Sequence, residues 1–322
     1  KWETTLDFNV GLDFGFNMDR LRGSIDVYRR ETNDLLLQTP PAAPSTIPFQ
    51  FGNVDASVIN QGIEFAIGYD FVQTEDTDFG VNFNFAYNDN EIQDFAGSIN
   101  TGEINGPGLS GAFAQRFESG VSLFSYYMAE FTGFDGEGNP TYTDVDGNGI
   151  GDPDVDKFFI GEDGLPDITT GLSLNFRHKN WDASAFFNGQ FGFSVYNNTA
   201  NSFFNAGQLV TARNVTQDVI TSGENGGAST AVSSRFLEKG DFVRFQNATI
   251  GYNVPLSGNG TFKGLRFSLT GQNLALWTDY SGIDPEVTVA TGTLGSGIPV
   301  RGIDWAAFPN PLTVTFGINA TF

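Results

Sequence analysis

The segment DVDGNGIGDPDVD, residues 144–156, places oxygen-bearing side chains at the spacing a hard divalent cation requires. Counting Asp144 as position 1, Asp146 is position 3, Asn148 is 5, Gly149 is 6, Ile150 is 7 and Asp152 is 9. In a calcium loop the odd positions supply carboxylate or amide oxygens, position 6 makes a sharp glycine turn, and position 7 offers its carbonyl. Position 12 should then carry a bidentate acid. Here it is Val155, with Asp154 and Asp156 on either side. Pro153 can shift the register so that one of those two closes the shell. The expectation is a structural Ca2+ site, favoured over Mg2+ and of modest affinity, that ties down a long loop. The alternative is a solvated Asp/Gly turn.

Little else in the chain could do chemistry. His178 is the single histidine and there is no cysteine, so a zinc site or a Cys–His pair is excluded. It adjoins Lys179-Asn180, which reads as a short turn. No G-x-S-x-G, H-E-x-x-H or P-loop occurs, and no carboxylate pair stands out at glycosidase spacing. The reading is of a protein that is not an enzyme and uses no organic cofactor. A formal charge of -22 disfavours nucleic acid. Aromatic residues remain as binding candidates. Tyr126, Tyr127, Trp277, Tyr280 and Trp305 lie in or beside long loops, where they could contact a ligand. They could equally sit at the headgroup level of a membrane, where amphipathic rings are enriched.

These residues have to be positioned by strands. The last segment, LTVTFGINATF, alternates apolar and polar or glycine residues at every step and ends on Phe322. The same period-two pattern recurs from Leu6 to Phe16, from Leu21 to Glu31, from Ile63 to Phe71 and from Phe79 to Tyr87. It resumes at 172–176, 181–193, 241–254 and 265–278. Such alternation gives a strand with one apolar and one polar face. A soluble sandwich could use it with the apolar face inward, and a membrane barrel with that face toward lipid. No run of 18 apolar residues exists, so no membrane helix is expected.

Length and connectivity favour the barrel. The segments run about ten to sixteen residues, against about five or six for strands of soluble proteins and about 9 to 11 for a tilted membrane strand. Short turns at 18–20, 74–78, 179–180 and 255–264 alternate with long loops at about 38–60, 89–167, 197–240 and 279–311. That asymmetry belongs to membrane barrels with short periplasmic turns and long extracellular loops. The parity holds only if the strand-like piece at 121–131 lies in a loop, which leaves nine spanning strands. Nine antiparallel strands do not close with regular pairing, and open edges in lipid would cost several kcal/mol per unpaired group. The whole chain, 1–322, is therefore expected to be part of a larger antiparallel β-barrel, all-β in class, with further strands preceding Lys1. Asp7, Asp13, Asp26, Glu64 and Asp70 fall on polar strand faces and would point into a wet lumen.

Several collinear motifs give this pattern a family resemblance. WETTLDFNVGLDFGF, GSIDVYRRETNDLLL and FGNVDASVINQGIEFAI are followed by DVDGNGIGDPD, FRHKNWDASAFFNGQFG and FLEKGDFVRFQNATIGYNVP. LRFSLTGQNLALWTDYSGIDPEV and FPNPLTVTFGINATF close the chain. Together they resemble the C-terminal part of the barrel of SusC-like TonB-dependent outer-membrane transporters of Bacteroidetes. The resemblance implies a 22-stranded barrel with an N-terminal plug and a TonB box, neither of which lies in this sequence. It implies a surface SusD-like lipoprotein partner, and import of oligosaccharides or peptides driven through TonB. It also implies that the terminal Phe322 is an assembly signal. The competing expectation is a non-transporting secreted or surface β-rich structural or adhesive protein.

Overall fold

The period-two segments pair in chain order into one nine-stranded sheet. Its strands are β1 (Thr4–Phe16), β2 (Leu21–Asn33), β3 (Ser57–Gln73), β4 (Thr77–Gln93), β5 (Ile168–His178), β6 (Trp181–Phe191), β7 (Phe242–Asn253), β8 (Gly264–Thr278) and β9 (Thr313–Thr321). Every neighbouring pair is antiparallel. This is a computed structural model, and it describes residues 1–39, 44, 46, 50–104, 106, 109, 111–227, 231–256, 261–287 and 300–322, with the side chains of 38 and 39 excepted. The expected turn at 255–264 and the expected loops at 38–60, 89–167, 197–240 and 279–311 therefore fall partly outside the described residues.

Register keeps the two faces chemically separate across the sheet. One row runs Phe14, Gly23, Ile67, Phe83, Leu172, Phe187, Phe245 and Ala275. The adjacent row on the other face runs Asp13, Ser24, Ala66, Asn84, Gly171, Asn188 and Arg244. A one-residue slip of any strand would exchange the rows, so the alternation fixes the register. At Gln246 one extra residue interrupts β7. The bulge resets the parity, so Phe245 stays with the apolar row while Arg244 and Phe242 turn to the polar face.

The apolar face is uncovered. Leu6, Phe8, Val10 and Leu12 on β1 and Val314, Phe316 and Ile318 on β9 are each between 59% and 70% exposed. Ile25, Ile63, Phe83, Ile250 and Leu269 continue the face across the sheet, also exposed. The dry core lies elsewhere. Ile104, Leu109, Ala114, Tyr126, Met128, Tyr196, Val232, Val300 and Ile303 form the largest buried cluster, and they come from three of the long connections. Those connections thus fold together as a cap at one end of the sheet.

Short connections at 17–20, 74–76 and 179–180 lie at the end opposite the cap. The piece near 121–131 forms a strand over Ser125–Ala129, outside the nine-stranded sheet. It joins a four-stranded loop sheet with Ser98–Ile104, Ala112–Glu118 and Lys157–Asp163.

Two features differ from the expectation. Strands β3 and β4 each run 17 residues and project beyond the expected loop boundaries at 60 and 89. Their cap-side ends are buried, because Val58 and Ile92 pack with Leu35, Ala56 and Phe117. The connection at 197–240, which shows no helical periodicity, contains three α-helices among its described residues: α1 (Asn198–Phe203), α2 (Gly207–Val210) and α3 (Gln217–Thr221). None exceeds six residues, too short for a 3.6-residue period to repeat twice.

Candidate functional site

The acidic segment folds as a loop closed on its own backbone. Asp144 accepts N–H bonds from Gly147 at 2.8 Å and Gly149 at 2.7 Å. Asp146 accepts from Asn148 N at 3.0 Å, and Asn148 Oδ1 accepts from Ile150 N at 2.8 Å. Gly147 and Gly149 take positive φ values of 77° and 89°, which gives the sharp reversals the motif implies. Asp156, 1% exposed, accepts from Val145 at 2.9 Å, Asp146 at 3.1 Å and Asp152 at 2.8 Å. Those backbone donors, Asp152 first, hold its carboxyl below the usual range.

The result is that ligand oxygens of Asp144, Asp146 and Asp156 lie within 4.8 Å of one another. Three carboxylates so close repel one another, and a divalent cation between them would remove that cost. This donor set fits a hard cation, with Asp156, one residue past position 12, offering the final acid. Asp154 does not join it: its side chain is 92% exposed and lies 3.8 Å from Lys157 Nζ. Asp152 turns its Oδ1 to the Asp154 N–H at 2.8 Å and is not among the three. Asn148 and Ile150 lie in the turn between, Ile150 with its side chain 70% exposed.

The aromatic candidates separate by burial. Tyr126 is fully buried, and its hydroxyl donates toward Ser194 O at 3.0 Å and Gly302 O at 2.6 Å. Tyr280 is 5% exposed and donates to Asp304 Oδ2 at 2.8 Å. Burial raises both phenols above their ordinary range. Tyr126 ties its connection to two others, whereas Tyr280 closes the β8–β9 connection on itself. Trp305 stacks on Phe203 at 5.5 Å. Trp277 is 55% exposed and lies opposite Val243 on the apolar face near the cap. Tyr127 lines a cavity of about 590 Å3, together with Arg116 and Lys157. His178 closes β5, its Nδ1 2.7 Å from Thr77 Oγ1. Phe322 rests against Phe262 at 5.1 Å.

Charges on the polar face are partly neutralised. Asp7 pairs with Arg30 at 2.7 Å and Asp70 with Arg22 at 2.8 Å. Asp26 and Glu64 lie directly across from one another. One relationship was not legible in sequence: Arg244 pairs with Asp284 at 2.6 Å, both 4% exposed in their side chains. Asn310 donates to the other oxygen of Asp284 at 2.9 Å. The polar face of β7 thereby holds both ends of the connection between β8 and β9.

The family model described as "TonB dependent receptor-like, beta-barrel" matches residues 1–274. The chain belongs to the TonB-dependent receptor family. TonB-dependent receptor P3 of Formosa agariphila is 29% identical over 354 residues, covering 100% of this chain and 34% of its own length. TonB-dependent receptor P26 of the same organism is 30% identical, with 100% and 35% covered. TonB-dependent receptor SusC of Bacteroides thetaiotaomicron is 29% identical, with 100% and 32% covered. Among solved structures, a chain of the RagAB peptide importer in its closed-closed state superposes with TM-score 0.81 at 28% identity, covering 100% of this chain and 36% of that one. The RagAB peptide transporter gives TM-score 0.78 at 27% identity, covering 100% and 36%. The chain spans about a third of the length of the curated relatives it matches. This TonB-dependent receptor segment is all-β, similar to SusC, and its family is one of receptors and transporters rather than enzymes.

Proposed function

We propose that the chain forms the C-terminal part of the barrel of an outer-membrane importer, driven through TonB, for oligosaccharides or peptides. The observation that carries this reading is the uncovered apolar face of a nine-stranded antiparallel sheet whose polar face holds ion pairs and amides. In water that face would be an aggregation surface, whereas in lipid it is a solvated one. Among the described residues, β1 and β9 each pair on one edge only. Unpaired edges are expensive in hydrocarbon, so the remaining strands of a barrel of about 22 would cover them, together with a plug inside. Similarity to the RagAB peptide transporter supports peptides as cargo, and the resemblance of the motifs to SusC-like transporters implies oligosaccharides as the other class and a SusD-like surface lipoprotein as partner. The terminal Phe322 would act as the assembly signal. In the same reading, Asp144, Asp146 and Asp156 hold a structural Ca2+ in an extracellular loop.

The test is the intact mass and chain composition of the native outer-membrane complex, with each separated band sequenced. A single long polypeptide carrying plug, further strands and this segment, with a lipoprotein beside it, is the expected result. This chain alone, monodisperse and folded without detergent, would overturn it and leave the secreted or surface structural reading.

A further inference from the structure

Most arginines of this acidic chain are closely neutralised. Arg22, Arg30, Arg177, Arg235, Arg244 and Arg266 each lie within 2.8 Å of a carboxylate oxygen. The 590 Å3 cavity in the cap is different. Arg116 has its nearest carboxylate, Glu118, at 4.0 Å. Lys157 has its nearest, the solvent-exposed Asp154 at the rim of the same cavity, at 3.8 Å. Both distances exceed a charge-assisted hydrogen bond. Both cations are nonetheless largely withdrawn from solvent, with side chains 22% and 26% exposed. Withdrawing cations from water without a carboxylate in hydrogen-bond range is costly, and it is unexpected in a chain with 38 acids to choose from.

The guanidinium is also held in place. Its centre sits 3.4 Å from the centroid of the Tyr127 ring. Tyr127 is fixed in turn by an edge contact with Phe159 at 5.1 Å. Nε of Arg116 donates to Asn100 Oδ1 at 3.0 Å, which leaves the Nη1/Nη2 edge without a carboxylate in hydrogen-bond range among the described residues. A guanidinium so oriented offers two parallel N–H groups to two coplanar oxygens. A planar carboxylate matches that edge, and Lys157 adds a second positive charge on the wall of the same cavity.

We propose that the cavity lined by Arg116, Tyr127 and Lys157 binds a carboxylate group of the cargo, by Arg116 stacked on Tyr127 with Lys157 beside it. The carboxylate could be that of an acidic peptide or of a uronic-acid saccharide, since the recognised atoms are the same. The word cargo rests on the import reading above, but binding is measured apart from transport. Failure of one therefore leaves the other standing.

The experiment is calorimetric titration of the full-length detergent-solubilised protein with tri-glutamate and with trigalacturonate. Tri-glutamine and galactotriose serve as neutral counterparts. At least one acidic probe is expected to bind tenfold or more tightly than its neutral counterpart, and the probe that binds identifies the source. Arg116→Gln and Lys157→Gln should each weaken that probe about tenfold or more, whereas Lys179→Gln, at the opposite end of the sheet, should not. If Arg116→Gln does not fold, Lys157→Gln and the salt dependence for the unaltered protein carry the test. No binding of either acidic probe, equal binding of acidic and neutral probes, or acidic binding unchanged in Lys157→Gln would overturn the assignment.

Discussion

Arg266 on β8 pairs with Asp182 on β6 by crossing the intervening strand β7 at Gly251. A Cβ at residue 251 would meet the tips of both side chains. The pair is about one-third exposed on each side, so it is worth roughly 1 kcal/mol or less. Gly251→Ala should be absorbed by the mobile tips. Gly251→Leu should part the ions and cost as much as Arg266→Gln. The double variant should cost no more than either single, because both remove one interaction. Thermal midpoints of the detergent-resistant folded form measure this. Additive losses would show that Gly251 acts independently of the pair.

The buried pair of Arg244 and Asp284 predicts a larger effect. Removing Arg244 leaves Asp284 as an uncompensated charge in a site 4% exposed, at a cost of about 3 to 5 kcal/mol, whereas removing Asp284 leaves Arg244 with Glu286 at 3.4 Å and should cost less. Arg244→Met and Asp284→Leu should each release the ends of the β8–β9 connection, read as faster amide exchange at Tyr280 and Asn310. Arg244→Met/Asp284→Leu together should exchange more slowly than either single variant. If the double is the fastest of the three, burial of an unpaired charge is not what the singles lose.

Asp163 makes a pH prediction. Burial pushes its carboxyl up to about 6, with Asp167 and Glu162 adding to the rise and the Leu165 N–H, at 2.8 Å, working against it. Below about pH 4 the group is protonated whether the cap is folded or not, and nothing is lost. As pH rises from there, the unfolded segment releases its proton first, so stability falls. The penalty is complete above about pH 6, where it amounts to something on the order of 2 to 3 kcal/mol. Asp163→Asn keeps the acceptor for Leu165 and should stabilise the loop sheet at pH 7.5 and far less at pH 4. Amide exchange over 157–163 at the two pH values checks it. Equal protection of variant and parent at pH 7.5 would remove the penalty.

The acidic loop separates its carboxylates into two groups. Asp144, Asp146 and Asp156 converge, while Asp154 lies outside. Calcium at a hundred times its dissociation constant should stabilise the folded form by about 2.7 kcal/mol. Asp156→Asn and Asp144→Asn should abolish that gain, and Asp154→Asn should keep it. Thermal midpoints with and without chelator decide this. A calcium gain lost in Asp154→Asn but kept in Asp156→Asn would place the ion elsewhere.

That division between Asp154 and Asp156 marks where the sequence stops being informative. Spacing names both, but the choice depends on which carboxylate the backbone N–H groups of Val145, Asp146 and Asp152 reach. The strands were legible because each alternates on its own, and the loop parity because turn chemistry is local. The lengths of β3 and β4 were not, since their ends are set by Phe117 and Leu35 from other connections. For the same reason Tyr126 and Tyr127, adjacent in sequence, have unlike places: one sealed in the cap core, the other on a cavity wall.

Two neighbours on β8 test the orientation of the whole sheet. Leu269 aligns with Ile250 and Phe316 on the apolar face and is 47% exposed. Ser268 aligns with Gly251 and Gly317 on the polar face. If the apolar face meets lipid, Leu269→Arg places a charge in hydrocarbon and costs about 2 to 4 kcal/mol near the bilayer midplane. Ser268→Arg reaches a wet lumen between two glycines and should cost less than about 1 kcal/mol. Refolding into lipid vesicles, followed by denaturant titration, measures both. A sheet whose apolar face faced water would show the reverse order, because an arginine at 269 would then be solvated and one at 268 would be forced into an interior.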